Sequence, residues 1–212
     1  VYNPLSFDRT DIVEGSMQGA ETTDITVYDH NGKEVLAQVT GYDKYTSEVK
    51  FIFAATVPSL GCAVYDIRLG TAGTLSSALS IDKDKRQLSN GRYRLTVNSA
   101  GDVAQVYDVQ NNRPMLSRIQ QELYNDYSPT WPSWEIRWDD VRSEPVAKVD
   151  EDVDTSLAED GVLRKSYRVS RTKNGSGFVQ YIRMSAITDR IDCVNEVDWQ
   201  RRGMMLKANF AL

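Results

Sequence analysis

Between Thr130 and Trp138 the chain reads TWPSWEIRW, and the residues just before it read LYNDYSP. Three of the four tryptophans fall here, with Asp126 and Glu135 on either side of the first rings and Asp139 and Asp140 beyond them. Flat rings can stack on the apolar faces of sugars. Two carboxyl groups about 5–5.5 Å apart are what a retaining glycosidase needs to cut a glycosidic bond. The residue types fit that chemistry, and they also fit a plainer arrangement. The chain holds 30 Asp and Glu, so carboxylates close in sequence are common, and most carboxylates face water on loops. Pro129 and Pro132 forbid a regular central strand, which puts Trp131 and Trp134 on an irregular loop. There they either seal the edge of a sheet or stack on a ligand.

Other chemistries find less support. His30 is the single histidine and directly precedes Asn31-Gly32, a hairpin tip with few neighbours. Zinc takes three or four N, S or carboxylate ligands, and no second His or Cys stands at a ligand spacing. A Ser-His-Asp triad would rest on the same residue, and no GxSxG elbow or phosphate-cradling glycine loop is present. The run DEDVD, 150–154, lacks the glycine and distal glutamate of an EF-hand and reads as a solvated acidic loop. Cys62 and Cys193 lie outside any CxxC pair; two buried thiols are expected, with a disulfide between them as the alternative. No residue is assigned as catalytic, none as a metal ligand, and no cofactor is expected in this chain.

The elements that would position the tryptophans are strands. Val49, Phe51, Phe53, Ala55 and Val57 share one face of EVKFIFAATV, and Tyr93, Leu95 and Val97 share one face of RYRLTVN. In LRKSYRVSRT, Leu163, Tyr167 and Val169 form an inner set, and Arg164, Ser166, Arg168 and Ser170 a polar outer one. FVQYIRMSAI and IDCVNEVDW follow as further strands. Asn31-Gly32 and the KNGSG run are hairpin signals, and no amphipathic helix is visible. The pattern predicts an all-β fold, an antiparallel β-sandwich. Small polar residues from Gly70 to Ser80 mark a linker, giving a small β unit over 1–74, a linker over 75–87 and a larger sandwich over 88–212. The acidic stretch from Arg142 to Gly161 reads as an exposed loop.

The chain has 212 residues, enough to bury a substantial core, and a net charge of -5. That charge argues against a nucleic-acid partner, which calls for clustered Lys and Arg. No apolar run approaches the roughly 20 residues of a membrane-spanning helix. The first residues, VYNPLSFDR, already read as the middle of a folded protein, so a fragment of a longer chain is expected.

Several stretches, in order, resemble glycoside hydrolase family 38, the class II α-mannosidases. VYNPLSFDR resembles the start of that family's β region, and ATVPSLGCAVYDI its Val-Pro-x-Leu-Gly-x-x-x-Tyr stretch. LSNGRYRLTVNSAGDVAQVYDVQNNRPML is similar to its next signature, a strand followed by a hairpin around glycine. LYNDYSPTWPSWEI is similar to its Asp-x-Pro-x-x-Trp-Asp-x-Trp-Asp/Glu element, and VDWQRRGMMLKANF to its Asp-Trp-x-Glu…Leu-Lys-x-x-Phe end. The chain departs from the pattern at Pro132, Gln200 and Ala211.

The resemblance implies an excised C-terminal β region, similar to the galactose-mutarotase-like supersandwich of the family and incomplete at its C-terminus. In the family, the aspartate nucleophile and most zinc ligands belong to an N-terminal α/β domain, so that missing catalytic domain becomes an expected partner and zinc a property of the parent enzyme. The substrate class implied is a terminal α-mannoside of a glycan. Asp126, Trp131, Trp134 and Glu135 are then candidates to line the sugar site without cutting the bond. A stand-alone carbohydrate-binding β-sandwich module is the alternative, and a spacer without ligand contact a third reading. The strand-like ending LKANFAL, whose sheet partners in the family come partly from residues beyond Leu212, predicts self-association of the isolated chain.

Overall fold

The computed structural model describes residues 1–19 and 21–211, so Leu212 lies outside the described residues. The chain divides into two units. The first holds Val1–Ser80 with Glu159–Lys165 and Met184–Arg190; the second holds Ile81–Ala158, Ser166–Arg183 and Ile191–Leu212.

In the first unit, β1 (Arg9–Met17), β2 (Ile25–Tyr28), β3 (Glu34–Val35), β4 (Ala37–Asp43), β5 (Glu48–Val57) and β6 (Asp66–Leu69) form two antiparallel sheets, ordered β1-β5-β4 and β3-β2-β6. The core lies along β5 and β2: Val49, Phe51, Phe53, Ala55 and Val57 are buried with Ile25 and Val27, and Val13, Val39 and Tyr65 close over them. The period-two face is therefore the core face. Ile52, from the opposite set, is buried too, so β5 is covered on both sides at its middle. The YNPLSF run is organised by buried Asn3, whose Nδ2 lies within hydrogen-bond reach of the carbonyls of Phe7, Val57 and Pro58 at 2.8, 3.2 and 3.1 Å.

The second unit contains β7 (Ser80–Asp82), β8 (Gln87–Ser89), β9 (Tyr93–Val97), β10 (Val103–Asp108), β11 (Arg113–Leu116), β12 (Arg118–Asn125), the short helix α1 (Trp138–Val141) and β13 (Ala147–Lys148). β18 (Met204–Ala211) completes its large sheet, ordered β13-β12-β10-β9-β8-β7, with β11 on β10 and β18 on β12. A four-stranded sheet follows the order β14 (Glu151–Asp160), β15 (Arg164–Lys173), β16 (Ser176–Ser185) and β17 (Ile191–Asp198). Leu123 of β12, Val149 and Phe178 of β16 form a core cluster, with the Trp199 ring edge-on to Phe178 at 6.3 Å. Asn174 and Gly175 both have positive φ, 52° and 79°, the geometry of a two-residue hairpin turn that Asn-Gly adopts at little steric cost. The antiparallel all-β expectation matches this architecture.

Three local expectations are corrected. The acidic stretch expected as a loop contains β14, a ten-residue strand at a sheet edge, in which Val153, Thr155 and Leu157 are half-buried on one face while Asp152, Asp154 and Asp160 look outward. Charge on an edge strand discourages pairing with another chain, so acidity and strand formation are compatible. In β15 the outer set is not uniformly wet: Arg164 and Ser166 are buried. Arg164 donates through Nε and Nη2 to both oxygens of Glu159, each at 2.7 Å, and so carries its charge inward with a partner. The cysteines are free thiols, and Cys62 is exposed rather than buried. Burial, reinforced by Asp192, pushes the Cys193 thiol up to about 11.

Candidate functional site

The tryptophan loop leaves the end of β12 and returns through α1. Its base is set by strand pairing, in which β12 and β18 run antiparallel from Arg118↔Ala211 to Asn125↔Met204. Asp126 N–H then donates to Gly203 O at 2.9 Å. Tyr127 N–H donates to Asp140 Oδ2 at 3.2 Å, closing the neck against α1. Lys207, opposite Glu122 in the β12–β18 register, donates from Nζ to Val141 O and lies over the Tyr124 ring, 3.5 Å from its centroid. Residues 126–141 thus form a loop whose two ends are tied together, an Ω-loop.

Inside the loop, Ser128 is the hub. It is buried, its Oγ donates to Glu135 Oε2 at 2.6 Å, and the same oxygen accepts Trp131 N–H at 3.1 Å. Trp131 O accepts the N–H groups of both Trp134 and Glu135 at 3.0 Å. This tight turn sets the two indoles side by side, with centroids 6.3 Å apart and planes inclined by 29°. Both rings are open to solvent, Trp131 at 60% and Trp134 at 88%. Trp138, Tyr127 and Ile136 add further exposed apolar surface. A loop kept for packing would bury its indoles, because area removed from water stabilises at about 25 cal/mol per Å². Together these rings form an open apolar surface on the loop.

The structure gives the four expected lining residues different settings. Trp131, Trp134 and Glu135 share the Ser128-centred turn, with Glu135 exposed and one carboxylate oxygen engaged by Ser128. Asp126 sits at the neck, half-buried, with its backbone tied to Gly203. Asp139 lies near Arg137 and Arg142 at 4.0 and 3.7 Å, exposed pairs of little energetic consequence. Sequence reasoning missed Ser128, Lys207 and the buried Glu122–Tyr124 pair. Tyr124 Oη donates to Glu122 Oε2 at 2.8 Å, and burial, with that carboxylate, pushes its phenol up to about 12. A phenol held protonated is a hydrogen-bond donor, not a nucleophile, so this pair supports the loop's base.

His30 is exposed on the β2–β3 turn. Among the described residues no group of three or more His, Cys, Asp and Glu is placed to hold a metal ion. No helix among them is long and apolar enough to cross a membrane. A cleft of about 470 Å³ in the first unit is lined by Glu14, Lys50, Glu159 and Arg164 among others, and Arg164 pairs there with both Glu159 and Glu14.

The fold and this loop define an antiparallel all-β domain with an open aromatic surface. Residues 88–212 match the family description "Glycosyl hydrolases family 38 C-terminal domain", and the chain belongs to that family. Among solved structures, the chain is similar to a protein in glycosyl hydrolase family 38 from Enterococcus faecalis, with a TM-score of 0.70 and 11% identity over 99% of this chain and 32% of that one. It is also similar to an alpha-mannosidase from Enterococcus faecalis V583, with a TM-score of 0.68 and 12% identity over 98% of this chain and 30% of that one. The chain therefore spans about a third of the length of these structures. Comparison with curated protein sequences finds no match.

Proposed function

We propose that this chain is the non-catalytic C-terminal β domain of a larger, retaining, zinc-dependent α-mannosidase, where it supports the fold and lines the α-mannoside site with Trp131, Trp134, Glu135 and Asp126. The observation that carries the reading is the family match over 88–212, joined to an exposed, self-supported tryptophan turn within the same residues. The zinc and the nucleophile belong, on this reading, to the N-terminal domain of the parent. The chain's own part is to place the Trp134 face against the apolar side of a sugar ring and to offer Glu135 as a hydroxyl acceptor, while Ser128 holds both in register. The exposed Phe210 on β18, a strand paired with β12 among the described residues, supports self-association of the isolated chain.

The test has two parts. The chain alone is expected to show no turnover of an aryl α-mannoside, with or without added zinc. In the full-length parent, Trp134→Ala should raise KM or lower kcat. The same variant should barely move the Tm of the chain, since the ring is 88% exposed and surface substitutions usually fall within about 0.5 kcal/mol. Chelator-sensitive turnover by the chain alone would overturn the non-catalytic assignment. Unchanged kinetics of the parent variant would remove the lining role.

A further inference from the structure

We infer that the tryptophan turn is a sugar-binding platform that works without the rest of the parent, with Trp134 as the contact ring and Trp131 as its support. The inference rests on the reading that this loop meets a glycan, and it goes further by separating the roles of the two indoles and by making binding independent of any catalytic domain.

Geometry separates the roles. A ring held between two aromatic planes needs a van der Waals spacing of about 3.5–4 Å on each side, or about 7–8 Å from plane to plane. The indole centroids are 6.3 Å apart, so no pyranose fits between them. The pair offers an outer face instead, and Trp134, 88% exposed against 60% for Trp131, holds the larger open area. Trp131 stacks on it and receives its backbone N–H at 3.0 Å, fixing where that face points.

Independence follows from what holds the loop. Its anchors are Gly203 O, Asp140, Lys207 and Ser128, all within the second unit of this chain. The ordering cost that a loose loop would incur on binding has been met during folding, and preorganised surfaces bind more tightly for that reason. The exposed Glu135, next in sequence to Trp134, is pinned by Ser128 through Oε2, so the carboxylate is oriented as well as available. An apolar face bordered by a fixed acceptor matches a pyranose, which has one C–H-rich face and a rim of hydroxyl donors.

The experiment is a titration of the 212-residue chain with an α-linked mannotriose and with methyl α-mannoside, followed by tryptophan fluorescence and by indole N–H shifts in NMR. A weak, saturable response centred on Trp134 is expected. Trp134→Ala should weaken binding at least about tenfold with an unchanged melting temperature, and Glu135→Gln should weaken it by a smaller factor. Trp131→Phe should weaken binding less than Trp134→Ala does, because a ring still supports Trp134. If neither sugar produces a response, or if the response survives in Trp134→Ala, the platform is overturned. Should the parent enzyme nevertheless lose kcat/KM with Trp134→Ala, the lining reading stands and only the independence falls. Should the parent variant also be unaffected, both fall, and a covering segment of the parent polypeptide is the occupant.

Discussion

Replacing Arg171 with methionine should destabilise the chain by about 3–5 kcal/mol, read as a lower urea midpoint with an unchanged slope. Arg171 is among the largest fully buried side chains. Its Nη1 donates to Asp102 Oδ1 at 2.9 Å and its Nη2 to Gln121 Oε1 at 3.0 Å, while Gln120 Nε2 donates to Asp102 Oδ2 at 3.2 Å. The amides of Gln121 and Gln180 both donate to Asn195 Oδ1 at 2.8 Å, so the network reaches from β12 through β15 and β16 to β17. Burial drives both ions toward neutrality, the Asp102 carboxyl up and the Arg171 guanidinium down, and their attraction opposes it. Removing only the guanidinium strands a buried carboxylate without its ion-pair partner, which is the costly half of breaking a buried pair. Asp102→Asn added to Arg171→Met should therefore recover part of the loss. A cost below about 1 kcal/mol for the single variant would show that the network is hydrated.

Gly161→Ala is the second large effect, with an expected cost of about 2–4 kcal/mol. A Cβ there would fall 1.9 Å from Gln38 Cδ and 2.0 Å from its Oε1. A free glutamine could swing aside, but this one is held: Oε1 accepts the N–H of Leu163 at 3.2 Å and of Arg164 at 2.8 Å. Moving it leaves two buried backbone donors without a partner, each costing about 1–3 kcal/mol. Gln38→Ala removes the same acceptor, so a double-mutant cycle should be strongly non-additive, with Gly161→Ala adding little once Gln38 is gone. Additive losses would place the strain at Gly161 elsewhere than Gln38.

These two sites show where sequence reading succeeds and where it stops. β5 and β9 were legible because their buried residues are apolar and alternate. β12, RIQQELYN, has Gln120, Gln121 and Glu122 each at most 6% exposed, yet nothing in its composition distinguishes it from a wet strand. Its burial is licensed by partners far away in sequence, Arg171 and Asn209 among them, and local pattern carries no trace of those. β14 was obscured differently: Val153, Thr155 and Leu157 keep period two, but the aspartates around them weigh more in a charge count. At the candidate site, the two prolines were enough to predict an irregular loop bearing Trp131 and Trp134. Whether the indoles point outward depended on Ser128 and Lys207, whose roles exist only once β12 and β18 are paired.

The tied neck of residues 126–141 also governs how that loop comes apart. A loop open at one end frays residue by residue, and its amides exchange with solvent hydrogen at graded rates. Here the amides of Asp126, Tyr127 and Trp131 are held by Gly203, Asp140 and Ser128, and those of Trp134 and Glu135 by the carbonyl of Trp131, itself anchored on Ser128. Losing one anchor loosens the others, so these amides should exchange as one cooperative unit, with a common opening free energy below that of the core strands. Acetylating or replacing Lys207 would lower that shared value for all of them together, because the tether at Val141 joins the far end of the loop to β18.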